Sequence, residues 1–330
     1  MKVILIHNPN AGTDQPSGDE LISLVRGAGH SVIYQSSALA DWPRALKEPA
    51  DLVAVAGGDG IVGQVAKRLV GQCIPFTILP LGTANNIAAT LGLTKRLLDE
   101  LITGWERARR AKFDVGVAKG PWGSSYFIEG VGLGAFTDTM SRLDARKNID
   151  IAHHNAADKK ILSVTQIIKI RLESSPPRRL KVALDGRDLS GDYIMLEVMN
   201  IRCIGPNLCL APNADPGDGL LDIVLVTADQ RGQMDRYLSD RAEGEESYSA
   251  LPVLQGRLLR IECEELRVHI DDDIWPDEGE HPPYSPMIID VGLHDDVSKC
   301  SCRLKRIYRA ILNPRLTATV SLNPDFAVTK

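Results

Sequence analysis

The chain has 330 residues, 44% of them hydrophobic and 25% charged, with a net charge of −5. That length exceeds one ordinary core and predicts two domains, and the acidic balance argues against a general nucleic-acid binder. Six cysteines with no C-x-x-C pair fit a reducing, cytoplasmic setting, and no run of about 18 apolar residues exists to span a bilayer, so membrane contact is expected to be peripheral at most.

In chain order, Val3-Ile4-Leu5-Ile6 reads as a strand buried on both faces. It runs into the turn-rich His7-Asn8-Pro9-Asn10-Ala11-Gly12. Leu21, Ile22, Leu24 and Val25 fit a helix closed by Gly27 and Gly29. Strands are expected at 31–34, at 52–56 and at 76–79. The second is followed at once by Gly57-Gly58-Asp59-Gly60 and a helix carrying Val62, Val65, Ala66 and Leu69. The third leads into Pro80-Leu81-Gly82-Thr83-Ala84-Asn85-Asn86 and a helix over 87–91. Such alternation gives βαβ units and a parallel sheet, with ligands beyond the C-terminal strand ends.

The rhythm changes near Phe113. Strands are expected at 113–117, 180–184, 193–199, 221–226, 258–263, 266–270 and 287–291, separated by turns such as Asp185-Gly186 and Asp218-Gly219. This is the pattern of a largely antiparallel β domain, interrupted by a helix around 161–168 capped near Asp158 and a second over 230–241. The tail carries Lys299, Arg303, Lys305, Arg306 and Arg309 among apolar residues. That spacing predicts a basic amphipathic helix on the first domain, or a dock for anionic head groups. The domains are therefore 1–112, joined by the tail 303–330, and 113–302.

Phosphate recognition needs backbone N–H donors that approach closely, which glycine permits. Gly57-Gly58-Asp59-Gly60 lies between a strand and a helix, whose N-terminus adds positive potential. Asp59 suits a site beside Mg²⁺ or a hydroxyl; the plainer reading is a tight turn with Asp59 as helix cap. Gly82-Thr83-Ala84-Asn85-Asn86 offers a glycine, a hydroxyl and two amides, or a cap on the next helix. Asn8, Asn10 and Gly12 make a third strand-end loop. A Walker loop, a G-x-G-x-x-G helix start, a G-x-S-x-G elbow and an H-E-x-x-H are all missing, which counts against hydrolase and dehydrogenase readings.

In order and spacing, these three loops resemble the nucleotide-side motifs of the diacylglycerol kinase catalytic family, which includes bacterial lipid kinases and sphingosine and ceramide kinases. The segment 212–222, with Asp215, Asp218, Gly219, Leu220, Leu221 and Asp222, resembles that family's P-x-A…D-G-L-L-D stretch, and 127–136 resembles the opening of its second domain. The resemblance implies an α/β fold: an N-terminal parallel-sheet nucleotide domain with a C-terminal β-sandwich, and ATP and a lipid alcohol in the cleft between them. It implies that Gly57, Gly58, Gly60 and Thr83 contact ATP phosphates, with Asn85 in the same loop. Asn8 and Asn10 would lie at the nucleotide rim and Asp59 near a catalytic Mg²⁺. By the same likeness Asp215, Asp218 and the Leu220 carbonyl would hold a structural Mg²⁺. The partner implied is a lipid substrate at a membrane surface; a homodimer is compatible with it.

Two departures stand out. Ile61 occupies a position that is usually Thr or Ser in the family. The family's late D-G-E, whose Asp is the expected base, corresponds to Asp271-Asp272-Asp273, with Glu278-Gly279-Glu280 an alternative register. Asp271 is the candidate base, because it follows the strand run ending at Ile270. Other readings left open are a different GGD kinase, such as an NAD kinase, and a weakly catalytic nucleotide- or lipid-binding protein.

Overall fold

A computed structural model describes residues 1–12, 15–145, 157–245, 247–264, 267–276, 286–294 and 307–311. The chain opens with β1 (Lys2–His7), α1 (Gly18–Gly27), β2 (Ser31–Ser36), β3 (Leu52–Gly57), α2 (Asp59–Leu69), β4 (Phe76–Pro80), α3 (Asn86–Thr90), α4 (Leu98–Gly104) and β5 (Arg109–Phe113). Every residue of β3 is buried, as expected for a strand covered on both faces. Ser17 and Glu20 close a reciprocal capping box that fixes the start of α1. β2, β1, β3 and β4 run parallel in that order, which brings the loops after β1, β3 and β4 to one edge.

The second domain comprises β6 (Gly116–Gly120), β7 (Gly123–Phe127), β8 (Gly130–Gly134), α5 (Ala135–Ala145), α6 (Ala157–Ser174), β9 (Arg178–Leu184), β10 (Arg187–Asp188), β11 (Gly191–Met199), β12 (Leu221–Thr227), α7 (Arg231–Ala242), β13 (Val253–Gly256), β14 (Leu258–Cys263), β15 (Val268–Ile270), β16 (Asp273–Trp275) and β17 (Met287–Leu293). Their pairings are antiparallel and join into one curled sheet of 12 strands. One core, with Phe127, Leu133, Leu180, Ile261 and Ile289, fills the sheet. Another, with Ile168, Leu172, Met234 and Leu238, lies beneath the helices.

Several expectations are corrected. The strand expected over 113–117 is two strands in different sheets: β5 ends at Phe113, β6 starts at Gly116, and the Asp114 N–H turns away to the Pro216 carbonyl at 2.5 Å. The tail does return to the first domain, but as a strand. β18 (Ile307–Ile311) lies parallel to β4 and antiparallel to β5, because a strand there gives both neighbours backbone partners that a helix could not. The rest of the tail, Cys300, Cys302 and the 278–280 register lie outside the described residues. Helix α5 escaped the sequence reading because Thr137 and Thr139 are poor helix formers in isolation. Here their hydroxyls bond back to the Gly132 and Ala135 carbonyls. Cys203 and Cys209 form a disulfide, against the expectation of unpaired thiols. A short hairpin, with Ile204 and Leu208 exchanging backbone bonds, brings them together. Among the described residues, no helix is long and apolar enough to cross a membrane.

Candidate functional site

The three glycine-bearing loops meet at the C-terminal edge of the parallel sheet. The Leu81 N–H donates to the Gly57 carbonyl, and the Asn8 N–H to the Ala56 carbonyl. A Cβ on Gly82 would stand 2.3 Å from the Gly58 Cα, and one on Gly12 2.4 Å from the Leu81 carbonyl oxygen. The loops are therefore in backbone contact, and glycine is what allows it. Gly58 is the N-cap of α2 and brings no side chain to cap it. The first amides of that helix are thus left for an incoming acceptor. Gly60 and Thr83 are exposed beside them, as is Asn10, whose N–H is held by the Asn8 side chain.

Two sequence candidates have their polar atoms committed locally. Asn85 sits in the left-handed region (φ 54°) and turns its side chain back, accepting from the Gly82 N–H at 2.9 Å and donating to the Gly82 carbonyl at 2.7 Å. Its amide shapes the loop. Asp59 caps a helix, but a neighbouring one: its two carboxylate oxygens accept from the Asn86 and Ile87 N–H groups at the start of α3. Burial pushes the Asp59 carboxyl up, the α3 amides pull it down, and nearby Asp272 raises it further. Ile61 is buried with its Cγ2 2.4 Å from where a Gly57 Cβ would stand, so this position packs beneath the loop.

The second domain contributes the turn Asp271-Asp272, which joins β15 to β16 where Ile270 pairs with Asp273. Asp271 has φ 52°. Its carboxylate accepts from the N–H groups of Ile128, Glu129 and Gly130 at 2.8–3.2 Å and pairs with Lys67 of α2 at 2.7 Å. The base expected from sequence thus accepts from three amides and pairs with an ammonium. Asp272 is exposed and reaches over the glycine loop, its Oδ2 3.5 Å from where a Gly60 Cβ would stand.

Sequence reasoning missed Glu129, Lys67, Glu197 and His269, and read Asn86 only as a loop amide or helix cap. Glu129 is buried, and burial raises its carboxyl well above the usual range, with Asp59, Asp271 and Asp272 adding to the rise. Asn86 links the domains by donating to the Gly205 carbonyl at 3.0 Å, while its Oδ1 is buried without a hydrogen bond. Burial would depress His269, but the Glu197 carboxylate more than offsets it and the imidazole is raised. A cavity against this face is lined by Glu129, Phe136, Gly205, His269, Asp271 and Asp272. Glu129, Lys67, Glu197 and His269 occupy no position of the motifs read in the sequence; only the stretch 127–136, which resembles the opening of the family's second domain, pointed toward Glu129.

The acidic segment 212–222 forms turns at the domain junction. Asp215 accepts from the Gly217 N–H at 3.1 Å, Asp218 from the Leu220 N–H at 2.8 Å, and Asp114 from the Gly219 N–H at 3.0 Å. Burial raises Asp222 to about 6. Among the described residues, no three His, Cys, Asp or Glu groups are arranged to hold a metal ion by themselves. Two carboxylates and a carbonyl are still suitable donors for Mg²⁺, which normally keeps waters or takes phosphate oxygens rather than a full protein cage.

Comparison with known proteins agrees with this architecture. Residues 2–118 match the family described as diacylglycerol kinase catalytic domain, and residues 140–291 the YegS C-terminal NAD kinase beta sandwich-like domain. A curated diacylglycerol kinase of Mycobacterium tuberculosis is 27% identical over 265 residues, covering 78% of this chain and 79% of its own. A probable lipid kinase YegS-like of Klebsiella pneumoniae is 26% identical over 235 residues, covering 66% and 72%. The crystal structure of a diacylglycerol kinase from Bacillus anthracis superposes with a TM-score of 0.63 at 20% identity, covering 95% of this chain and 97% of that one. Yeast NADH kinase shares the fold more distantly, with a TM-score of 0.51 at 13% identity.

Proposed function

The chain belongs to the diacylglycerol kinase catalytic-domain family, and from that premise we propose that it transfers the γ-phosphate of Mg·ATP to a hydroxyl of a membrane lipid of the diacylglycerol or sphingoid kind. The observation that carries this reading is the facing of two surfaces across one cleft. On one side are glycine loops with available helix amides; on the other is an acidic turn whose Asp272 reaches over Gly60.

Phosphoryl transfer asks a protein mainly for positioning and charge stabilisation. Gly58 and Gly60 present backbone N–H donors to phosphate oxygens, Gly57, whose N–H is used in the β3–β4 ladder, holds the loop beneath them, and the Thr83 hydroxyl adds a further donor. Asn8 and Asn10 flank the nucleotide, and Asn85 holds the Gly82 loop in shape for it. Asp59 and Asp272 face the region where Mg²⁺ would sit, and the ion when bound offsets charge on the phosphates. Asp215, Asp218 and the Leu220 carbonyl are the proposed ligands of a second, structural Mg²⁺.

For the lipid hydroxyl proton, Asp272 is a better acceptor than Asp271 because it is exposed and reaches over Gly60, where the phosphates would lie. A carboxylate that already accepts from three amides and an ammonium has its lone pairs committed. Asp271 then serves as the anchor of the turn. The deciding assay is transfer of labelled γ-phosphate from Mg·ATP to diacylglycerol, monoacylglycerol, phosphatidylglycerol, sphingosine, ceramide and NAD in mixed micelles. Label on a lipid that is lost in Asp272→Asn supports the reading. Label on NAD moves the chain to another acceptor class, and ATP binding without transfer to any acceptor overturns the enzyme.

A further inference from the structure

Glu197 and His269 lie side by side inside the second domain, 0% and 2% exposed. Burying a carboxylate in a sheet is costly unless it is paired, and aliphatic side chains would fill the space more stably. The sheet has instead been shaped around the pair. Glu197 on β11 and His269 on β15 are both in register with Gly132 on β8, the strand between them. Any Cβ on Gly132 would stand 2.0 Å from the Glu197 Oε2. The missing side chain is what lets the carboxylate cross a whole strand and reach the His269 Nε2 at 2.7 Å.

The other ring nitrogen faces the Asp271 carbonyl oxygen at 3.1 Å. A carbonyl only accepts, so Nδ1 carries a proton and donates. The Nε2 contact to Glu197 then holds one shared proton, and the Phe136 ring closes edge-on against the imidazole at 5.2 Å. The carbonyl so held belongs to the residue at φ 52° that starts the two-residue turn. Its N–H is pinned as well, by the Gly130 carbonyl at 2.8 Å. With both sides of this backbone unit fixed, the direction in which the chain delivers Asp272 over Gly60 is fixed too.

We propose that Glu197 and His269, with Gly132 as the gap that admits them, are a positioning pair that sets the Asp271-Asp272 turn and thereby turnover, without taking part in nucleotide binding. The proposal rests on the phosphotransfer reading above. Among the described residues the side-chain hydrogen bonds of the pair run to each other and to the Asp271 carbonyl, and none runs to the cleft loops of the first domain, so their hydrogen-bonded route to the reaction is the placement of Asp272.

The test uses the full-length protein and the acceptor identified in the micelle panel. Glu197→Gln keeps the side-chain volume; His269→Gln keeps one polar arm but cannot bridge both partners. The expected result is a kcat lowered about 10- to 100-fold by His269→Gln, the scale of a small misplacement, and less by Glu197→Gln. KM and Kd for Mg·ATP stay within about twofold, and the double variant is no worse than His269→Gln alone, because the two act as a unit. In ¹⁵N-histidine spectra the wild-type His269 ring shows a persistent Nδ1–H, lost or shifted in Glu197→Gln. Unchanged kcat in both folded variants, additive losses, or losses carried by ATP affinity overturn the proposal. If His269→Gln does not fold, Glu197→Gln with its spectrum decides alone. A wild-type chain that phosphorylates no acceptor is a different failure, since it removes the phosphotransfer premise itself.

Discussion

Replacing Asp271 separates an anchor from a base. In Asp271→Ala the N–H groups of Ile128, Glu129 and Gly130 lose their acceptor and Lys67 loses its partner. Each buried amide left unpaired costs about 1–3 kcal/mol, less where water enters from the cleft. Alanine at φ 52° adds about 1 kcal/mol. With water entering from the cleft, three amides at the low end of that range plus the backbone come to about 4 kcal/mol. For a unit the size of the second domain this corresponds to a melting-temperature drop of roughly 8–16 °C. Asp271→Asn differs: asparagine tolerates the left-handed backbone and its carbonyl still accepts from the amides, so only the ion pair is lost. The Lys67 side chain is 25% exposed, which discounts that loss to about 1 kcal/mol. Differential scanning fluorimetry and kcat on both variants give the answer. An alanine variant that melts within about 2 °C of wild type refutes the anchor. An asparagine variant that is fully stable but has lost all turnover restores Asp271 as the base.

Gly82→Ala should abolish Mg·ATP binding measured by calorimetry, because its Cβ would overlap the Gly58 backbone, whereas Asn85→Gly, which keeps the left-handed turn but loses both bonds to Gly82, should only raise KM for ATP several-fold. Glu129→Gln tests the buried acid in metal-free buffer. A carboxyl whose folded value is raised contributes stability at low pH that is lost as pH climbs through that value, so the variant should match wild type near pH 4 and melt higher than wild type at pH 8. Reducing the Cys203–Cys209 bridge with a dithiol should lower stability by roughly 2 kcal/mol, the loop-entropy value for so short a ring. It should also loosen the Gly205 carbonyl that receives Asn86, visible as faster amide exchange across 203–209.

Much of the first domain was legible because its signals are local. Val3 to Ile6 are apolar without a break, Gly29 follows the end of the first helix with φ of 84°, and strand–loop–helix order alone places the loops at one sheet edge. Other features depended on partners distant in sequence. The tail strand could be recognised only from the gap between β4 and β5 that it fills. Asp59 looked like a cap for its own helix, yet it caps α3, nearly thirty residues on. Asp271 fell on the family's base position, and only its contacts at 128–130 and Lys67 show how fully its carboxylate is engaged.

The sequence by itself determined the two-domain α/β architecture and the glycine loops, since backbone approach and buried-strand periodicity are properties of short stretches of chain. Tertiary structure decided what each polar group faces. That depends on who stands opposite: Gly132 between Glu197 and His269, three amides and an ammonium around Asp271, and Asp272 over Gly60. Hydrogen bonding and burial are set by neighbours in space, and no spacing along the chain encodes them.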